Sequence, residues 1–204
     1  MGLELTYTDG QTSLEEEEKE GLRIPAIATR GELDEFEQQN IEQAIAWTMR
    51  RSFKMETVFT EAFIKTVHKQ MFGDVWAWAG EFRQSNKNIG VDKWQIPTAV
   101  RTLLDDVKYW HENASFPPDE IAIRFKHRLV SIHCFPNGNG RHSRLMADII
   151  AEKIFRLPHF TWGAANLLKQ ADPRAVYLKA LKAADKGDIQ SLIRFARESI
   201  KYFV

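Results

Sequence analysis

The chain has 204 residues, 44% of them hydrophobic and 27% charged, and its 28 lysines and arginines balance 28 aspartates and glutamates. This composition suits one globular domain with a short appendage and excludes a global electrostatic attraction to nucleic acid or membrane, so any anion site must be local. One cysteine, Cys134, leaves no intrachain disulfide to form. The N-terminus lacks a basic region followed by an apolar core, and no apolar run approaches the roughly 20 residues that span a bilayer, so the chain reads as cytoplasmic.

Residues 1–30 read as an acidic arm and 31–204 as the main domain. The run Glu15-Glu16-Glu17-Glu18-Lys19-Glu20 suits a short helix ended by Gly21, with an extended linker from Ile24-Pro25. From Leu33 a helical period places Leu33, Phe36, Ile41, Ala44, Ile45 and Thr48 on one stripe. Thr60 is the expected cap of a helix carrying Phe63, Val67 and Met71 and closed by Gly73. Asp74–Ala79, with Trp76 and Trp78, reads as a helical turn in the core. Residues 83–97 alternate around Ile89 and Val91, contain turn residues and stop at Pro97, which predicts an irregular segment or small β-hairpin.

Helices resume at Val100, Leu103, Val107 and Trp110, and again at Pro118 with Ile121, Phe125, Leu129 and Ile132 inward. Another begins near Gly140, carrying Leu145, Met146, Ile149, Ile150 and Ile154. Asp172-Pro173 opens the next, and Gly187-Asp188 ends it and caps a last helix with Ile189, Leu192, Ile193, Ala196 and Ile200. The fold class is all-α with one small extended element.

Between two of these helices stands His133-Cys134-Phe135-Pro136-Asn137-Gly138-Asn139-Gly140-Arg141-His142-Ser143-Arg144. A helix N-terminus leaves amide N–H groups unpaired and favours anions, and Gly138 and Gly140 let those amides converge. Arg141 and Arg144 lie one turn apart and can grip different phosphates. His133 can accept a proton near neutral pH, and the Asn137 amide oxygen can meet a hard cation such as Mg²⁺. The parts fit polyphosphate binding beside a base. The same residues also make an ordinary turn followed by solvated arginines, and local physics leaves both readings open.

This segment resembles the signature of the Fic family, His-x-Phe-x-Asp/Glu-Gly-Asn-Gly-Arg-x-x-Arg, at every fixed position but Asn137, where the family usually carries an acid. The resemblance extends to Trp78-Ala79-Gly80-x-x-Arg83 and to the 86–97 segment, which is similar to the family's flap. The layout, including Arg30-Gly31-Glu32-Leu33-Asp34-Glu35-Phe36-Glu37-Gln38, resembles the subgroup called mobile mystery protein B. The resemblance implies a Fic-type helical domain with a small β-hairpin flap that moves AMP from ATP to a protein Ser, Thr or Tyr hydroxyl. His133 would be the base. Gly138, Asn139 and Gly140 would form the anion loop, with Asn139 also orienting phosphate oxygens. Arg141 would hold the α- and β-phosphates, Arg144 the γ-phosphate, and Asn137 would hold Mg²⁺ or Mn²⁺. The Asn137 departure leaves two rivals: a weak or inactive nucleotide-binding regulatory module, and an enzyme using another nucleotide or phosphate donor.

Ile89, Val91 and Trp94 would dock an extended target chain along the flap; the plain alternative is a connecting loop with its tryptophan packed inward. Glu17 and Glu20 each match half of the family's inhibitory-helix pattern, in which a glutamate occupies the second arginine; the plain alternative is a solvated acidic arm. His68 and His127 read as spectators, His142 as a packing or surface residue, and Cys134 as a small buried thiol. The implied partners are a nucleotide, a target protein and a small DNA-binding antitoxin-like protein, with no direct nucleic-acid or membrane contact.

Overall fold

The computed structural model describes residues 13–163 and 173–198. After the short acidic α1 (Glu16–Lys19) the chain enters α2 (Arg30–Met49), whose start is fixed by a reciprocal cap. The Thr29 hydroxyl accepts from the Glu32 amide at 3.3 Å, and the Glu32 carboxylate accepts from the Thr29 amide at 2.9 Å. One turn, α3 (Met55–Val58), precedes α4 (Glu61–Phe72), which Thr60 caps through the Phe63 amide at 3.1 Å. Then come α5 (Ile96–Glu112), α6 (Pro118–Ile132) and α7 (Asn139–Ile149), the last continued by a π-helical turn over Ile150–Ile154. The C-terminal pair is α8 (Pro173–Asp185) and α9 (Ile189–Arg197), the latter capped by Asp188 through the Ser191 amide at 3.2 Å. Asp172 and Ile200, part of the sequence reading of this region, lie outside the described residues.

The α6 helix is the hub. It packs on α5, α7 and α9, while α4 joins α7 to α2. Ile121, Phe125, Leu129 and Ile132 are all buried on its inner face, as their four-and-three spacing predicts. Among the described residues no helix is long and apolar enough to cross a membrane.

Three expectations need correction. The α2 stripe buries Leu33, Ile41, Ala44 and Thr48 but leaves Phe36 and Ile45 exposed; Glu37 and Asn40 take their place inside. They can be buried because they are paired: the Trp76 indole donates to Glu37 at 2.7 Å, and the Asn40 amide donates to the Gln70 carbonyl at 2.9 Å. Pro97 does not stop a segment; it sits in the first turn of α5, where its missing N–H leaves no vacancy.

The third correction is the β-hairpin. Residues 83–95 form no strand, only bends and one 3₁₀ turn at Lys93–Gln95, and α5 begins at Ile96. The amides that would close a hairpin pair instead with the C-terminal end of α6: Arg83 N–H donates to the Cys134 carbonyl at 3.0 Å and Val91 N–H to Ile132 at 3.2 Å. The bend between them is closed by Asn86, which donates to Asp92 at 2.8 Å and accepts from the Lys93 amide at 2.8 Å.

Candidate active site

The base candidate sits where α6 ends. His133 adopts a left-handed conformation, φ 56° and ψ 57°, which turns the chain sharply out of the helix. That conformation is unfavourable for a residue with a Cβ and must be held by its surroundings. The buried Arg83 guanidinium does so. It donates to the His133 carbonyl at 2.6 Å, to Ser85 at 2.7 Å, and to Val91. Gly90 lies so close that a Cβ there would stand 2.6 Å from that of His133. The imidazole is 6% exposed, and burial lowers its pKa to about 4; a hydrogen bond with the Val130 backbone opposes the shift, and the charges of Arg83 and Lys87 add to it. His133 is therefore neutral at physiological pH, the form of an imidazole that accepts a proton.

The loop that follows is built by its own side chains. Asn139 is buried and clasps Phe135 twice, accepting from its amide at 2.9 Å and donating to its carbonyl at 2.8 Å. Gly138 takes φ 76°, and a Cβ there would meet the Phe72 ring at 2.5 Å. The first backbone bond of α7 runs from His142 N–H to the Gly138 carbonyl at 2.9 Å, so the amides of Asn139, Gly140 and Arg141 precede the helical ladder and face its open end. Asn137 folds its Oδ1 onto the Gly138 amide at 2.5 Å.

A second histidine locks the loop from beneath. His68 accepts from the Gly80 amide at Nδ1, 3.0 Å, so its Nε2 carries the proton and donates to the Asn137 carbonyl at 3.0 Å. Its ring stacks on Phe135 at 3.7 Å, and burial holds its pKa well below the usual value. His142 is also buried, bonded to the Ile64 carbonyl at 3.0 Å, with a pKa lowered to about 3 by burial.

The cations stand on the next turn of α7. Arg141 pairs with buried Glu37 at 2.7 Å and lies over the Phe72 ring at 4.9 Å. Arg144 lies 5.6 Å from the centre of the Tyr177 ring. A neutral base at the end of α6 thus precedes, by one short loop, the open amides of α7 and the two guanidiniums on its first two turns.

A family model described as Fic/DOC matches residues 58–151. Residues 58–151, just under half of the chain, thus match a Fic/DOC family domain. The protein adenylyltransferase Fic of Aedes aegypti is 29% identical over 136 residues, 65% of this chain and 26% of that protein. The Drosophila virilis protein of the same name is 28% identical with the same coverage. The chain thus spans about a quarter of the length of these curated relatives. Fic-1 of C. elegans, residues 134–508, superposes with a TM-score of 0.66 at 21% identity, covering 87% of this chain and 51% of that one. BepC of Bartonella tribocorum, solved with bound AMPPNP, gives 0.65 at 16% identity, covering 90% and 97%. These two likenesses establish the fold.

Within the Fic domain the sequence-predicted residues divide. Gly138, Gly140 and Arg141 stand at the mouth of α7 and Arg144 one turn further in, while His133 ends α6 across a short loop. The Asn139 side chain has both ends of its carboxamide engaged with Phe135 and shapes the loop, while its backbone amide is one of the three at the open end of α7. Trp94 is 77% and Ile89 44% exposed, so the tryptophan does not pack inward, whereas Val91 is half-buried against the core. Glu17 and Glu20 face solvent on and after α1. The inward contacts of that helix belong to Glu18, which meets Lys87 at 2.5 Å and Ser85 at 2.8 Å, beside the flap rather than at Arg144.

Sequence reasoning missed Arg83, Glu37 and His68 as builders of the site. For two of them a signal existed. Glu37 falls four residues from Leu33 and Ile41 on the buried stripe, and His68 falls four from Ile64 and Phe72. A polar residue at such a position needs a buried partner. His68 is therefore a positioning residue rather than a spectator.

Asn137 also fits the metal role only narrowly. Its oxygen is a single neutral donor already bonded to the Gly138 amide, and among the described residues no group of three acidic, histidine or cysteine side chains is placed to hold a metal. Mg²⁺ that keeps its waters and rests mainly on substrate phosphates is compatible with one such ligand.

Proposed function

We propose that this chain is a protein adenylyltransferase, moving AMP from ATP to a Ser, Thr or Tyr hydroxyl of a target protein. The observation that carries the proposal is the neutral, buried His133 at the end of α6, one short loop before the open amides of α7 and the cations Arg141 and Arg144. The names of the curated relatives support the same reaction. Residues 1–30 are the arm and 31–204 the Fic-type unit in this reading.

The triphosphate lies across the amides of Asn139, Gly140 and Arg141, which Gly138 leaves accessible. Arg141, steadied by Glu37, neutralises the α- and β-phosphates, and Arg144 the γ-phosphate. His133 takes the proton of the target hydroxyl. That oxygen attacks the α-phosphorus, the bond to the β-phosphate oxygen breaks, and pyrophosphate leaves with the electron pair. Mg²⁺, when bound, would be held by phosphate oxygens and the Asn137 amide oxygen and would add neutralising charge to the leaving diphosphate. Ile89 and Trp94, exposed on either side of the half-buried Val91, receive the target chain. The arm's Glu17 and Glu20 face solvent, and the resemblance to mobile mystery protein B suggests a small DNA-binding partner protein.

ATP labelled at the α-phosphate tests the proposal. Label moves onto protein with wild type and falls by about a thousandfold or more with His133→Ala, while nucleotide binding survives, as expected for loss of a positioned general base. Nucleotide bound without transfer would favour a regulatory module, and transfer only from another donor would change the donor class. Asn137→Asp reads the metal contribution directly.

A further inference from the structure

Lys126 is fully buried on the inner face of α6, seven residues before His133. Its ammonium donates to the Tyr177 hydroxyl of α8 at 2.6 Å, and the Tyr177 ring in turn stands 5.6 Å from the Arg144 guanidinium. Two cations therefore flank one phenol. Among the described residues neither has a carboxylate within ion-pair distance. The acid that Lys126 feels, Asp185, is hydrogen-bonded to His127 at 2.8 Å. The acid that Arg144 feels, Asp148, accepts from the Trp162 indole at 2.9 Å and the Phe160 amide at 2.9 Å.

A buried cation without a counter-ion is expensive, and two side by side more so. Burial and the neighbouring Arg144 hold the Lys126 pKa well below its usual value, and burial lowers that of Arg144. Both groups resist carrying charge together, and an anion arriving beside Arg144 would favour the protonated state of the pair. Tyr177 also gives α8 a direct polar tie to α6 and to the arginine; otherwise α8 rests mainly on α9. The C-terminal helices are in this way joined to the far end of the donor site.

We propose that Lys126, acting through Tyr177, is a positioning residue for the terminal phosphate of the donor, setting Arg144 and supplying the positive field that makes the site favour a triphosphate over a diphosphate. The inference rests on the functional reading above and deepens it. Lys126 does not touch the nucleotide; Tyr177 covers it and transmits its charge and its geometry. Tyr177→Phe keeps the ring beside Arg144 and removes only the oxygen that Lys126 holds.

The test is the ratio of ADP to ATP dissociation constants, measured by calorimetry on the intact chain, together with kcat and the ATP KM for transfer. With Lys126→Met the ratio falls about tenfold and the ATP KM rises while kcat and ADP affinity stay within about twofold, as expected for loss of one charge-assisted contribution. Tyr177→Phe moves the ratio the same way by about threefold. If Lys126→Met fails to fold, Tyr177→Phe alone decides, since it deletes one atom. A lowered melting temperature with an unchanged ADP-to-ATP ratio in both variants overturns the inference while leaving the transferase reading intact. Wild-type protein that binds no nucleotide overturns both.

Discussion

The two flanks of His133 are held in opposite ways. On the C-terminal side, the 134–144 loop is fixed by buried groups: Asn139 on Phe135, His68 under Asn137, Phe72 against Gly138, Glu37 on Arg141. On the other, residues 84–95 are anchored at their base by Arg83 and by the Val91 amide on Ile132, carry Ile89 and Trp94 in solvent, and are closed by Asn86 on Asp92 and Lys93, by Lys93 on Gln84, and by Glu18 of α1 on Ser85 and Lys87. The contrast matches the chemistry required. Phosphoryl-type transfer depends on preorganised donors, which must not relax when the nucleotide leaves. A surface that accepts an extended chain needs exposed apolar groups and a backbone able to adjust.

The largest expected effect breaks the rigid flank. Gly138→Ala introduces a Cβ at φ 76° and drives it to 2.5 Å from Phe72. The loop must then either abandon its turn or push Phe72 away from under Arg141. Transfer and ATP affinity should both fall by about a hundredfold or more, the scale seen when one preorganised donor is lost. Gly140→Ala is the control, since a Cβ there meets nothing within 4 Å and the position is helical. If the two alanines behave alike, conformation at 138 is not what sets the cradle.

How much of this was legible differs between the flanks for a physical reason. The helices, their caps at Thr60 and Asp188, and the signature loop follow from short-range patterns: period, capping side chains and glycine spacing. The hairpin was misread because alternation around Ile89 and Val91 speaks of local strand pairing, whereas the amides of Arg83 and Val91 find partners on α6, some 40 to 50 residues away in the chain. Likewise Asn139 was read as a phosphate ligand because its polarity is visible in sequence, while its two bonds to Phe135 depend on loop closure. Long-range polar pairing, such as Glu37 with Trp76 and Arg141, is signalled only by a charged residue standing on an apolar stripe.

A second, intermediate effect uses pH to probe burial on the rigid side. His133, His142 and His68 all have folded pKa values below the unfolded value near 6.5, at about 4, about 3 and well below normal. Below pH 6.5 the unfolded chain binds protons that the folded chain refuses. The histidines' contribution to stability is therefore complete above pH 6.5 and declines as pH falls toward 4, by up to about 1.4 kcal/mol per unit for each group. The melting temperature should be flat from pH 7 to 8 and drop steadily below 6.5. The acid limb of kcat/KM, followed only where the protein remains folded, should not appear near 6.5. A half-maximal rate at pH 6.5 in folded protein would mean that the imidazole is solvated in the working enzyme.

The smallest effect tests the exposed flank. Trp94 is 77% exposed, with the Lys93 ammonium 4.9 Å from its ring centre. Removing so exposed a side chain costs the fold little, within about 0.5 kcal/mol. Trp94→Ala should leave the melting temperature and ATP affinity nearly unchanged and raise the KM for the target protein by about tenfold, as loss of an aromatic anchor does at an interface. The same substitution should leave the kcat for a saturating target intact, because the base and cradle do not depend on it. A drop in kcat with unchanged target KM would place Trp94 in the support of His133 through the Val91 tie to α6. The two flanks would then be one mechanical unit rather than a fixed cradle beside an adaptable edge.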